Sequence, residues 1–77
     1  MNTKIKKGIY QHYKGFYYDV LDVAQHTETL EELVIYRALY GDYKIWLRPL
    51  TMFLEDVEIN GVKTKRFQYI QEKMDQL

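Results

Sequence analysis

LVIYRALYGDYKIWLRPLTMF, residues 33–53, is the densest apolar and aromatic run in the chain, and it holds the single Trp, the single Pro and two arginines among large side chains. Two readings of its first half compete. Thr29-Leu30-Glu31-Glu32 matches a capping box, Leu30, Leu33 and Val34 repeat at helical spacing, and Gly41 would close a helix over 30–40. Against that, Leu33-Val34-Ile35-Tyr36 is a β-branched and aromatic run, and a helix would expose Ile35 or Tyr36 on its far side. The strand reading is adopted. After a short turn at Gly41-Asp42, a second strand runs from Lys44 to Arg48. It stops at Pro49, which has no N–H for a ladder and biases Arg48 to an extended conformation.

The register of this hairpin decides which side chains meet. With a turn at Gly41-Asp42-Tyr43-Lys44, Tyr40 faces Ile45 and Ala38 faces Leu47, so Arg37 and Leu39 lie beside Trp46 and Arg48. A three-residue loop instead groups Tyr36, Ala38, Tyr40, Trp46 and Arg48 and turns Arg37 away. Trp46 and Arg48 share a face in both.

Working outward, Gly8 to Tyr13 reads as a first strand and Phe16 to Ala24 as a second, punctuated by Lys14-Gly15. Alternation in the second breaks at Asp22, and a β-bulge there moves Val23 to the inward face, with Asp22 expected in a left-handed conformation. Gln25 to Glu32 is a polar connection. Beyond Pro49, Leu50 to Leu54 is expected to form one 3₁₀ or helical turn that brings Met52 and Phe53 under the sheet. Asp56 to Ile59 alternates and meets Asn60-Gly61, the strongest hairpin signal present, with Val62 to Thr64 as partner and Arg66 to Ile70 as strand or short helix. Residues 1–7 and 71–77 read as polar tails, leaving a single domain over 8–70.

The composition agrees with a mainly β fold. Eight Tyr, three Phe and one Trp suit half-buried pleated surfaces. Seventy-seven residues suffice for one core. The absence of cysteine removes disulfides, thiolate metal sites and cysteine nucleophiles, and it fits a cytoplasmic location. Eleven basic and eleven acidic side chains cancel, so no long-range field draws the chain to nucleic acid or to an anionic membrane. No stretch approaches the roughly 20 apolar residues of a membrane span, and the basic start is followed by no apolar signal-peptide segment. No cofactor or metal motif is found.

The pieces KGIYQHYKG, YDVLDVAQHTET, ELVIYRALYGD and WLRPLTMF, in this order and spacing, resemble the bacterial family catalogued as domain of unknown function 1653. The resemblance runs from about Lys7 to Glu58. It implies a small SH3-like (Tudor-like) barrel of about five strands with a short 3₁₀ or helical turn, in cytoplasmic bacterial proteins, and carries no activity, ligand or catalytic residue. Asp22 departs from the Gly expected in many relatives, and Asp pays a steric penalty in a left-handed bulge that Gly does not.

Candidate site residues therefore come from chemistry. Trp46 and Arg48, with Arg37 and Tyr36, form an aromatic and basic face suited to a partner protein, a nucleic acid or a small anionic ligand. His12, His26 and Glu28 extend that ligand-binding set. The plainer reading is that Trp46 packs in the core or at its rim and that the arginines pair with Glu28, Glu31, Glu32 or Glu55. The enzyme alternative uses His26 and Glu28 with Arg37 as acid–base and anion-holding groups, alone or as an accessory domain. His12 and His26 with a carboxylate do not match a zinc spacing and read as turn residues. Thr27 and Thr29 have no adjacent base and satisfy loop backbone. Lys4, Lys6, Lys7 and Lys14, and later Lys63, Lys65 and Arg66, read as solvated charge. Surplus aromatic surface on both strand faces leaves a weak homodimer open.

Overall fold

The chain alternates buried and half-buried residues from Glu32 to Ala38, with Val34, Tyr36 and Ala38 inward, so this segment is a strand rather than a helix. In a computed structural model that describes residues 5–72, it is the third of seven strands. The order is β1 (Gly8–His12), β2 (Tyr17–Gln25), β3 (Glu32–Ala38), β4 (Ile45–Pro49), α1 (Leu50–Phe53), β5 (Asp56–Ile59), β6 (Val62–Lys65) and β7 (Phe67–Gln71). The expected polar tails fall mostly outside the described residues, as does Lys4 of the N-terminal basic group.

β4, β3, β2, β1 and β7 form one antiparallel sheet in that order, and β5 and β6 form a second. The expectation of a mainly β fold with one short helix is met. Closure into a barrel of about five strands is not: among the described residues the main sheet ends at β4 on one side and β7 on the other. The physical reason lies at Pro49, where the chain leaves the sheet through α1 and returns as an independent hairpin, so none of the described strands reaches the outer edge of β4.

Local chemistry explains the other joints. β2 carries a bulge between Val20 and Asp22, leaving Leu21 unpaired, and this sets Val23 opposite the fully buried Val34. Asp22 does not take the left-handed conformation expected for it; positive φ among described non-glycine residues belongs to Leu30, Tyr43 and Asn60. Its carboxylate instead accepts the Val23 N–H at 2.8 Å, an adjacent-residue bond that holds the bulge. Asn60 and Gly61, at φ 52° and 79°, make the two-residue turn between β5 and β6, with Ile59 facing Val62.

The core is an aromatic cluster on one face of the main sheet. Tyr10, Val20, Val34, Tyr36, Leu50, Phe53 and Phe67 are buried together. α1 supplies Leu50 and Phe53, while Met52, expected to lie beneath the sheet, points to solvent. Phe53 stacks on Phe67 with centroids 4.1 Å apart, and Tyr10 and Tyr36 meet Phe53 edge-on at 5.4 and 5.6 Å. Burying one such ring is worth about 1.5–3 kcal/mol, which makes α1 a plug for the sheet despite its four residues.

Candidate functional site

Trp46 is paired with Tyr36, Arg48 with Val34, and Ile45 with Arg37. This is the face grouping expected for the alternative register, although the connection is six residues (39–44) rather than three. Gly41 and Tyr43 take positive φ, and Tyr43 N–H donates to Tyr40 C=O at 3.0 Å. Tyr36, Ala38, Trp46 and Arg48 therefore lie on one face, and Arg37 lies on the other, opposite the buried Asp19 on β2. Arg37 is thus separated from the Trp46 face by the sheet.

Four aromatic side chains and one guanidinium converge there. Tyr18, Tyr36, Tyr40, Trp46, Leu47 and Arg48 line an open cavity of about 290 Å³. A second hollow of about 220 Å³, sharing Tyr40 and Trp46, continues toward Asp42 and Lys44. Arg48 Nε donates to Tyr36 Oη at 3.3 Å, and its guanidinium carbon lies 5.8 Å from the Phe67 ring centroid. The hydroxyls of Tyr18 and Tyr40 are hydrogen-bonded at 2.7 Å. Tyr18 meets Tyr36 and Tyr40 edge-on. Burial pushes the Tyr18 phenol well above its ordinary pKa, and the bond to Tyr40 adds to this, so this hydroxyl keeps its proton at physiological pH. Trp46 is 50% exposed. It is a rim residue, neither core nor free of the sheet.

His12 stands behind this wall. Its ring is 6.3 Å from Tyr18 and 4.9 Å from Phe67. Burial pulls its pKa below the ordinary 6.5, helped by the nearby cations Arg66, Lys14 and Arg48. Its Nδ1 also accepts the Lys14 N–H at 3.1 Å, an acceptor role open only to the neutral ring.

His26 and Glu28 lie elsewhere. They occupy the loop beyond Gln25, seven residues along β2 from Tyr18, roughly 20 Å at strand rise. His26 Nδ1 accepts the N–H groups of Glu28 at 3.1 Å and Thr29 at 3.4 Å, and Thr29 Oγ1 accepts that of Glu31. These are the turn roles expected for both. His26, Glu28 and Arg37 are not brought together, so the arrangement needed for acid–base work between them is not formed. Nor does Glu55 pair with Arg37 or Arg48: it binds Arg66 at 3.1 Å. Among the described residues no cluster of metal-ligating side chains occurs, and no helix is long and apolar enough to cross a membrane.

Two aromatic members of the cavity, Tyr18 and Tyr40, and the aliphatic Leu47 lie outside the binding candidates that the sequence suggests. Tyr40 already belongs to the three-residue-loop grouping with Trp46, whereas Tyr18 joins this face through the β2–β3 register, which sets it opposite Ala38. Phe67 carried no comparable signal, because β7 reaches β1 from the far end of the chain.

The comparisons agree with this architecture. A crystal structure of a protein from the same family in Bordetella bronchiseptica superposes with a TM-score of 0.82 at 32% sequence identity, covering 92% of this chain and 94% of that one. No curated protein matches the chain. The model of the family described as protein of unknown function DUF1653 matches residues 8–69, from the first residue of β1 into β7, and the chain belongs to that family.

Proposed function

We propose that this domain is a binding module whose aromatic and basic face, centred on Trp46 and Arg48, recognises an anionic group on a small ligand, a nucleic acid or a partner protein. The observation that carries this reading is the setting of Arg48. One of its donors is held by Tyr36, no carboxylate among the described residues lines the cavity beside it, and half-exposed Trp46 is its neighbour but one on the same face. A guanidinium has five N–H donors in a fixed fork, so the remaining ones suit a carboxylate or phosphate. The Trp46 ring adds a surface for a planar base or an apolar side chain. Packing of Tyr36 and Phe67 fixes Arg48 in advance, which lowers the entropy lost on binding.

The fold is read more finely as an open SH3-like barrel. The order β4-β3-β2-β1-β7, the long bulged β2 shared between β1 and β3, and the helical turn after β4 support that reading. It does not by itself assign a function.

The test uses the single Trp as its own reporter. Titration with a mononucleotide, a short single-stranded oligonucleotide and an acidic peptide is expected to give a saturable change in Trp46 fluorescence with at least one of them. Arg48→Gln is expected to weaken that binding roughly tenfold. No saturable change with any of the three would overturn the reading.

A further inference from the structure

The backbone of β4 is as informative as its side chains. Ala38 N–H donates to Lys44 C=O at 2.9 Å, which makes 38 and 44 a hydrogen-bonded pair. By the alternation of an antiparallel ladder, Trp46 and Arg48 then also turn their backbone groups toward β3. Ile45 and Leu47 turn theirs away, to the edge where the main sheet ends. Pro49 follows with a carbonyl but no N–H. Among the described residues no strand covers this edge, which thus offers two donor–acceptor residues, Ile45 and Leu47, on either side of Trp46. Their side chains are exposed as well, Ile45 at 51% and Leu47 at 61%. An apolar edge of this kind is a template for a further strand.

Building on the anion-binding reading of the same face, we infer that the ligand of β4 is an extended acidic peptide segment of another protein, added as a strand beside Ile45 and Leu47 with a carboxylate on Arg48. Charge selects this occupant. Residues 44, 46 and 48 share a face, so an antiparallel strand would oppose them with its first, third and fifth residues. The residue facing Arg48 is acidic, the one facing Trp46 is apolar or planar, and the one facing Lys44 is acidic or polar, since Asp42 shares the Lys44 hollow. The second and fourth residues make the backbone bonds and lie beside the exposed Ile45 and Leu47. A second copy of the chain fits less well. Using Ile45 and Leu47 of both copies would set Arg48 of one against Lys44 of the other, like charges directly opposed.

The experiment is an amide-resolved NMR titration with the capped peptide Glu-Val-Leu-Val-Glu, run beside the same peptide N-methylated at both Val residues and beside Lys-Val-Leu-Val-Lys. Strand addition predicts saturable shifts and slowed hydrogen exchange at the Ile45 and Leu47 amides. It also predicts at least tenfold weaker binding for the methylated and lysine peptides, and for Arg48→Gln with the parent. Equal binding of the methylated peptide would overturn strand addition while leaving the anion-binding face intact. Absence of any change at Trp46 with this peptide would overturn the peptide assignment, and the nucleotide titrations then decide the broader reading separately. Slowed exchange at Ile45 and Leu47 in protein alone, rising with concentration, would assign the edge to self-association instead and overturn the proposal.

Discussion

Trp46 and Phe53 show how differently two large aromatic residues in one apolar run are used. Phe53 is 1% exposed, stacked on Phe67 and edged by Tyr10 and Tyr36. Phe53→Ala is therefore expected to cost about 3–5 kcal/mol, a large part of the stability of a small domain, measured by urea unfolding. Trp46 lies on the rim. Trp46→Ala is expected to cost no more than about 1 kcal/mol in the same experiment while removing ligand binding. His12 adds a pH dependence with a defined sign. Its folded pKa is depressed, so the unfolded chain takes up a proton first as pH falls below the ordinary 6.5. Stability contributed at neutral pH should then decline below about 6.5, and His12→Gln should flatten that decline in pH-resolved urea unfolding. A bound anion at Arg48 offsets one of the cations that depress His12. The His12 titration should consequently move upward in the complex, as followed by imidazole NMR signals.

At the scale of elements, the turns were the most legible part of the chain. Asn60-Gly61 announced its hairpin because only residues tolerant of positive φ suit that turn, and Gly61 stands at 79°. Gly61→Ala, although its Cβ would meet open space, should cost about 1–2 kcal/mol from the left-handed backbone alone, read as a lowered unfolding midpoint. The bulge near Asp22 was legible for a different reason: alternation fails there unless one residue is skipped. What the sequence could not convey was the conformation of the bulge, since an Asp side chain can bond its neighbour's N–H without turning left-handed. The loop between β3 and β4 is longer than its sequence suggests because Gly41-Asp42 imitates a tight turn. Tyr43 adopts positive φ against its own preference, a conformation its side chain does not announce.

For the molecule as a whole, the long-range pairings set the limit of sequence reading. Local pattern reaches the adjacency of β2 with β3 and of β3 with β4, because consecutive strands pair as hairpins, but it leaves the β3–β4 register open between two face groupings. It does not reach β7, which lies beside β1 and brings Phe67 under the site. Nor does it reveal that the main sheet leaves β4 as an edge. The site residues divide accordingly: Trp46, Arg48 and Tyr36 meet, His12 joins them from behind, and Arg37, His26 and Glu28 lie apart. The zero net charge of the chain is compatible with this, since one guanidinium set in an aromatic wall acts at contact range and needs no long-range field. Binding at such a site should weaken only modestly between low and physiological salt, in contrast to the steep salt dependence of a protein that tracks many phosphates.

The measurement that bears most directly on the Trp46–Arg48 face is a two-dimensional amide NMR titration of labelled protein with an anionic ligand that changes Trp46 fluorescence, repeated on Arg48→Gln. Saturable shifts confined to residues around Tyr18, Tyr36, Tyr40, Trp46 and Arg48, weakened roughly tenfold by the substitution, are the predicted result. Shifts centred on the His26–Glu28 loop or on Arg37, or shifts indifferent to Arg48→Gln, would contradict it.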